Sequence, residues 1–421
     1  MNTISENTQA ILLLTAPLIV SRGAVPTNIL THTEYKKLAT CLMTLEKEPA
    51  DLLGEKSEEL LDALTGLFDK SRLGSLLERG FLLSQATDYW AARGIWVISR
   101  ADQEYPSRFK AKLKDNSPAI LYGCGDPSIL EGGGLAVVGS RKVDEQLRDY
   151  AQKVGRLAAA GNIGIVSGGA RGIDRASMRG ALECEGRAVG VLADSLTKAS
   201  VERENRQFFI DERLVLITPF NPSAGFNVGN AMNRNKLIYA LADAALVVNS
   251  DYKTGGTWAG AYEQLKKLKY ARVFVRNSKG ESKGLEELSK LGAEEWPEPE
   301  DKYDLQNILM NSPQKEQPVQ PEMPMIAEDQ AIPEVAIITD EPKSNQNNPE
   351  PDEEVVTEDL GTRILKALKK DPTPTTPTSL IKTLGVKNTE INSCLKALLK
   401  EGKVQKLTNP VRYTIMPPKM I

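Results

Sequence analysis

The chain is poor in the residues that build metal and disulfide chemistry. Its single histidine is His32, and its four cysteines, Cys41, Cys124, Cys184 and Cys394, are scattered without metal-type spacing. That distribution argues against both a zinc site and a disulfide framework. Long apolar runs are also scarce. The strongest, from Ala10 to Val20, is too short to span a bilayer, is broken by Pro17 and lacks a basic flank before it, so it reads as a buried helix of a cytoplasmic protein with no membrane partner. Neither the Gly-x-Gly-x-x-Gly dinucleotide fingerprint nor a Walker loop is present at the glycine-rich turns. A dehydrogenase and an ATPase are therefore not expected, and no cofactor is implied.

At 421 residues the chain is long enough for two to four domains. Its net charge of −3 conceals a strong asymmetry: residues 294–356 hold 17 Asp and Glu against 3 Lys. The remainder is basic, as suits a polyanion partner.

Four regions follow from the patterning. Residues 1–93 repeat apolar side chains at three- and four-residue steps, as in the stretch from Tyr35 to Met43, and are expected to form a helical domain. It serves either as a structural cap or as a DNA-contacting hairpin. Residues 94–296 alternate short apolar runs with helical patterns, and the runs at 135–138, 163–166, 188–192, 214–217, 245–248 and 272–275 predict strands. This is the rhythm of an α/β fold with a mostly parallel, Rossmann-like sheet covered on both faces. Residues 297–356 are rich in Pro, Gln and acidic residues and are expected to be an acidic disordered linker. Residues 357–421 pattern as three helices and a hairpin, the third helix placing Ile391, Leu395 and Leu398 on one face. This predicts a winged helix that binds either DNA, through Lys387, Asn388, Thr389, Asn392 and Lys396, or protein.

Within the sheet region, Gly139, Ser140 and Arg141 follow the run ending at Val138, and Ser167, Gly168, Gly169, Ala170, Arg171 and Gly172 follow the run ending at Val166. Small residues where a strand opens a helix leave backbone N–H groups and the positive helix end facing outward, and an arginine adds a fork of donors. Two such turns suggest phosphates bound in a row at the carboxyl ends of the strands, where Ser140, Ser167, Asn249 and Arg276 are predicted to lie. Thr254, Gly255, Gly256 and Thr257 form a third turn of this kind. Asp174 is expected to orient the second turn, because a carboxylate beside a phosphate repels it.

Taken in order, Gly94-Ile-Trp, Glu104-Tyr-Pro-Ser-Arg-Phe109, Ser117-Pro-Ala-Ile-Leu-Tyr-Gly123, Val137-Val-Gly-Ser-Arg141, Ser167-Gly-Gly-Ala-Arg-Gly-Ile-Asp174, Arg234-Asn-Lys-Leu-Ile238 and Leu291-Gly-Ala293 resemble the DNA-processing family, DprA or Smf, over roughly residues 94–296. The resemblance implies a homodimer that binds single-stranded DNA on a Rossmann-like domain, without catalysis, and passes it to the RecA recombinase in recombination or natural transformation. It also implies that Arg234, Asn235 and Lys236 reach the nucleic-acid backbone. The chain departs from the family pattern at Met178, where histidine is usual, and at Ala231-Met232, where Phe-Pro is usual. The second departure puts a stacking platform in doubt there, and Phe226, in the preceding loop, is either its substitute or, the reading preferred from sequence, an ordinary loop residue.

The Gly-Gly-Thr turn also resembles the Gly-Gly-x-Gly-Thr-x-x-Glu motif of nucleotide-cleaving Rossmann proteins. Glu263 falls one residue late for it. A nucleotide sensor or hydrolase using Glu263 with Arg234 is therefore the alternative reading.

Overall fold

The computed structural model describes residues 4–18, 28–278, 280 and 282–310, then 364–368, 380, 391, 394–395, 398–399, 403–407 and 412–415. They fall into two units, Met1–Val319 and Gln320–Ile421.

The first unit begins with α1 (Glu6–Thr15), α2 (His32–Thr44), α3 (Ser57–Leu64), α4 (Lys70–Leu77) and α5 (Gly80–Ala91). Ser5 caps α1 by accepting the Thr8 N–H, and Ala10 to Leu14 are buried all round, as the apolar run predicts. Thr31 and Glu34 form a capping box on α2, and Arg72 from α4 binds Glu34 at 2.7 Å. That hydrogen bond holds the Glu34 carboxyl far below the usual carboxylate range, at about 2. These helices share one apolar core with the sheet. Trp90 packs edge-on against Tyr122 at 5.0 Å, and the Ser5 and Thr8 hydroxyls each donate to Asp102 at 2.6 Å. They form a cap on the sheet.

The sheet region continues with β1 (Ile95–Ser99), α6 (Ser107–Leu113), β2 (Ile120–Gly125), β3 (Leu135–Val138), α7 (Glu145–Ala160), β4 (Ile165–Ser167), α8 (Ile173–Glu183), β5 (Ala188–Val191), α9 (Leu196–Ala199), α10 (Arg203–Ile210) and β6 (Leu214–Thr218). It is completed by α11 (Val228–Leu241), β7 (Ala244–Val247), α12 (Gly255–Glu263), β8 (Arg272–Val275), α13 (Lys283–Lys290) and β9 (Glu294–Glu295). The nine strands lie in the order β1-β2-β6-β5-β4-β3-β7-β8-β9. From β6 to β9 all pairs are parallel, whereas β1 and β2 run antiparallel at one edge. The inner strands are buried on both faces, so they read as continuous apolar runs. Leu135 and Val137 join α7 and α8 in one core, while Ala136 and Val138 join α11 to α13 in the other. The result is a helix–sheet–helix sandwich.

One boundary differs from the sequence expectation. The linker expected from residue 297 gives way to a further helix, α14 (Lys302–Met310). Leu305 is fully buried, Ile308 and Leu309 pack beside it, and Gln306 Nε2 donates to the Gly161 carbonyl at 2.9 Å. The acidic composition hides this short apolar stripe. Residues 311–356 lie outside the described residues.

In the second unit Ile364, Leu368, Leu380, Ile391, Leu395, Leu398 and Val404 share a core. There β10 (Val404–Leu407) pairs antiparallel with β11 (Arg412–Ile415). Lys387, Asn388, Thr389, Asn392 and Lys396 lie outside the described residues.

Candidate nucleic-acid interface

Strand order reverses between β3 and β7, since the chain builds outward from β3 through β4, β5 and β6 and then returns to place β7 on its other side. A crevice opens beyond the carboxyl ends of the strands at such a point. Here the Ser140 N–H donates to Asn249 Oδ1 at 2.8 Å, joining the turn after β3 to the turn after β7. The turn after β4 closes against the same place. Gly172 has φ +85°, and a Cβ there would lie 2.4 Å from the Ser140 carbonyl oxygen, so this close approach requires glycine. Gly139 and Ser140 are half-buried, whereas Arg141, Lys142, Arg171 and Arg175 are exposed around them. The N-terminus of α8 opens directly after Gly172.

Arg141 lies over the Phe226 ring, with its guanidinium carbon 4.7 Å from the ring centroid. Phe226 is 53% exposed, so a flat cation and a flat aromatic face stand together at the mouth of the crevice. The carboxylate nearest to Arg141 in sequence, Asp144, caps α7 by accepting the Leu147 N–H at 2.8 Å. Of the two sequence readings of Phe226, the ring beside Arg141 fits the substitute platform and not the ordinary loop residue. Its proximity to Arg141 joins segments 85 positions apart, and no local signal announces it.

Several predicted contacts occupy other positions. Ser167 is fully buried and its hydroxyl donates to the Val137 carbonyl at 2.6 Å, so it joins neighbouring strands and does not face a ligand. Arg234 is only 5% exposed. It sits on the inward face of α11 with Leu237 and Ile238, where its Nη1 donates to the Val191 carbonyl at 3.0 Å and lies 4.0 Å from Asp174 Oδ2. It does not reach outward. Asn235 Nδ2 donates to the Gly256 carbonyl at 3.0 Å and thereby docks α12 on α11. Lys236 is paired with Glu263 at 3.2 Å. The pair suspected for hydrolysis, Glu263 with Arg234, is not formed, because the two side chains hold other partners.

Asp174 is buried at the first turn of α8. Burial raises its carboxyl above the usual range, against the opposing effects of Arg234, the backbone N–H groups of Ala170 and Gly139, and Arg141. It orients the turns after β3 and β4 from beneath. At α12, Thr254, Gly255 and Gly256 are exposed and Thr257 is half-buried. No side chain caps this helix, whose first N–H groups are presented at its end.

The geometry thus joins Gly139, Ser140, Arg141, Gly168, Gly169, Arg171 and Gly172 into one edge, with α12 beside it through Asn235. Within it the Ser140 N–H is taken by Asn249 and the Gly139 and Ala170 N–H groups by Asp174, while Arg141 and Arg171 are exposed and Phe226 offers an aromatic face beside Arg141. Among the described residues, no helix is long and apolar enough to cross a membrane.

A model of the family described as DNA recombination-mediator protein A matches residues 96–306. The DNA processing protein DprA of Bacillus subtilis is 27% identical over 166 residues, 39% of this chain and 55% of that protein. Protein Smf of Escherichia coli is 30% identical over 162 residues, 37% of this chain and 42% of that protein. The chain thus spans about half the length of the curated relatives it matches. The X-ray structure of DNA processing protein A from Streptococcus pneumoniae superposes with a TM-score of 0.54 at 19% identity, covering 72% of this chain and 98% of that one, a likeness of fold. With half of its length matched by the family model, over the region that holds the strand-end edge, this chain belongs to the DNA recombination-mediator protein A family, the family of DprA and Smf.

Proposed function

We propose that this protein binds single-stranded DNA along the strand-end edge of its sheet and acts in DNA processing and recombination as a binder without catalysis. The observation that carries the reading is the exposed Arg141–Phe226 pair beside the glycine turns that follow β3 and β4. Backbone donors and free arginines suit phosphates of any sequence, and an exposed ring suits an unstacked base, which a duplex does not offer. The family resemblance extends the proposal to a homodimer acting in the cytoplasm that hands its strand to the RecA recombinase. The core of the second unit and its β10–β11 hairpin support a winged helix that makes a second contact, with DNA or with protein.

The test is fluorescence anisotropy of the full chain with a single-stranded thymidine oligomer and a duplex of equal length, across a salt series. The expected result is tighter binding of the single strand, with affinity falling linearly as salt rises on logarithmic axes. Thermal stabilisation by a mononucleotide, without oligomer binding, would overturn it.

A further inference from the structure

The buried arginine that misses the surface has a distinct place in this site. Asp174 comes from α8 on one face of the sheet, and Arg234 comes from α11 on the other. They meet at the strand ends directly under Gly168. A Cβ on Gly168 would lie 1.4 Å from Arg234 Nη1 and 2.6 Å from Asp174 Oδ2. The loop backbone therefore rests on the guanidinium itself. Arg234 Nε has no hydrogen-bond partner, although the residue is almost wholly buried. Leaving a guanidinium donor unsatisfied in the interior is costly, and an apolar side chain at this position would avoid that cost. The charge thus stands where it is useful for something other than stability.

We propose that Arg234 is a positioning residue, whose guanidinium, braced by Asp174 and the Val191 carbonyl, holds the backbone of residues 168–172 in the shape that turns the N–H groups of Gly168, Gly169, Arg171 and Gly172 toward a phosphate, the Ala170 N–H being held by Asp174. This rests on the single-strand reading above, and it replaces direct contact by Arg234 with support from beneath. The closest precedent in physical terms is the outer layer of a metal site, where groups that touch no ligand fix those that do.

The test compares three full-length variants with the wild type: Arg234→Met/Asp174→Asn, which removes both charges together, Arg234→Lys, which keeps the charge and loses the planar fork, and Arg141→Ala. Each is measured for thermal midpoint, for hydrogen exchange at amides 168–172 without DNA, and for oligomer affinity across salt. The double variant is expected to remain folded, to exchange faster at those amides, and to bind about tenfold more weakly, with the salt slope of the wild type. Arg141→Ala, a direct contact, is expected to lower the slope instead. A folded double variant with wild-type exchange overturns the proposal, as does a slope reduced as in Arg141→Ala. If the double variant does not fold, the same readings on Arg234→Lys decide the matter. If the wild type binds no single strand, the functional reading fails, and the exchange measurement alone judges the role of Arg234.

Discussion

Gly168 and Gly255 both follow strands of one sheet and were both assigned to phosphate turns, yet they are glycine for opposite reasons. Gly168 is crowded: the Arg234 guanidinium and the Asp174 carboxylate fill the space a side chain would take. Gly255 has no atom within 4 Å of its would-be Cβ, and it is held to glycine by its backbone, at φ +79°. One turn is braced from below by a charged pair spanning the sheet, and the other is an open helix entrance. The same residue type thus marks a supported surface in one case and a bend in the other.

The largest effect is expected at the braced turn. Gly168→Ala should destabilise the protein by roughly 3 kcal/mol, because the added methyl group must displace a buried guanidinium. Differential scanning fluorimetry measures the loss, and a midpoint equal to that of the wild type would dissolve the distinction between the two turns. Phe226→Ala should weaken single-strand binding by about 1–3 kcal/mol and leave duplex binding almost untouched, since only an unstacked base uses the ring. Equal losses on both nucleic acids would show that Phe226 serves Arg141 alone. Arg141→Ala should weaken binding across all sequences and lower the salt slope by about 0.7, the value for one single-strand phosphate. Gly255→Ala should cost about 1 kcal/mol of stability through its backbone angle and change affinity less than Arg141→Ala does. A larger affinity loss at Gly255 would make the open entrance the principal site. The smallest effect is expected from replacing Asp and Glu of residues 311–356, beyond α14, by Asn and Gln at constant length. Binding should tighten at low salt and converge with the wild type at high salt, because negative charge on the same chain competes with phosphate only while unscreened.

The sequence carried the sheet well because its inner strands are apolar on both faces, and the runs at 135–138 and 214–217 coincide with β3 and β6. It located the bends after β3 and β4 through their glycines, but not what those residues do there, since Ser167 proves to join neighbouring strands. Side-chain direction was less legible. Arg141 and Arg234 belong to equally basic motifs, but one follows a strand end into solvent while the other shares a helix face with Leu237 and Ile238. An i, i+3, i+4 count along α11 would have placed Arg234 inward. The acidic stretch failed in a different way, since Leu305, Ile308 and Leu309 bury one stripe of α14 while Lys302, Asp304, Gln306 and Asn307 make the helix polar between them.

The strand order has a consequence for how the chain assembles. β2 finds its inner neighbour in β6, with Tyr122 opposite Thr218, although β3, β4 and β5 all intervene in sequence. The helical cap and the β1–β2 pair are synthesised before the parallel strands, but they have no sheet to join until β6 has emerged and paired with β5. Contacts between such distant segments close slowly, and until they close β2 presents an unpaired, apolar edge of the kind that recruits other chains. Slowed synthesis between β2 and β6 would therefore prolong the exposure of that edge.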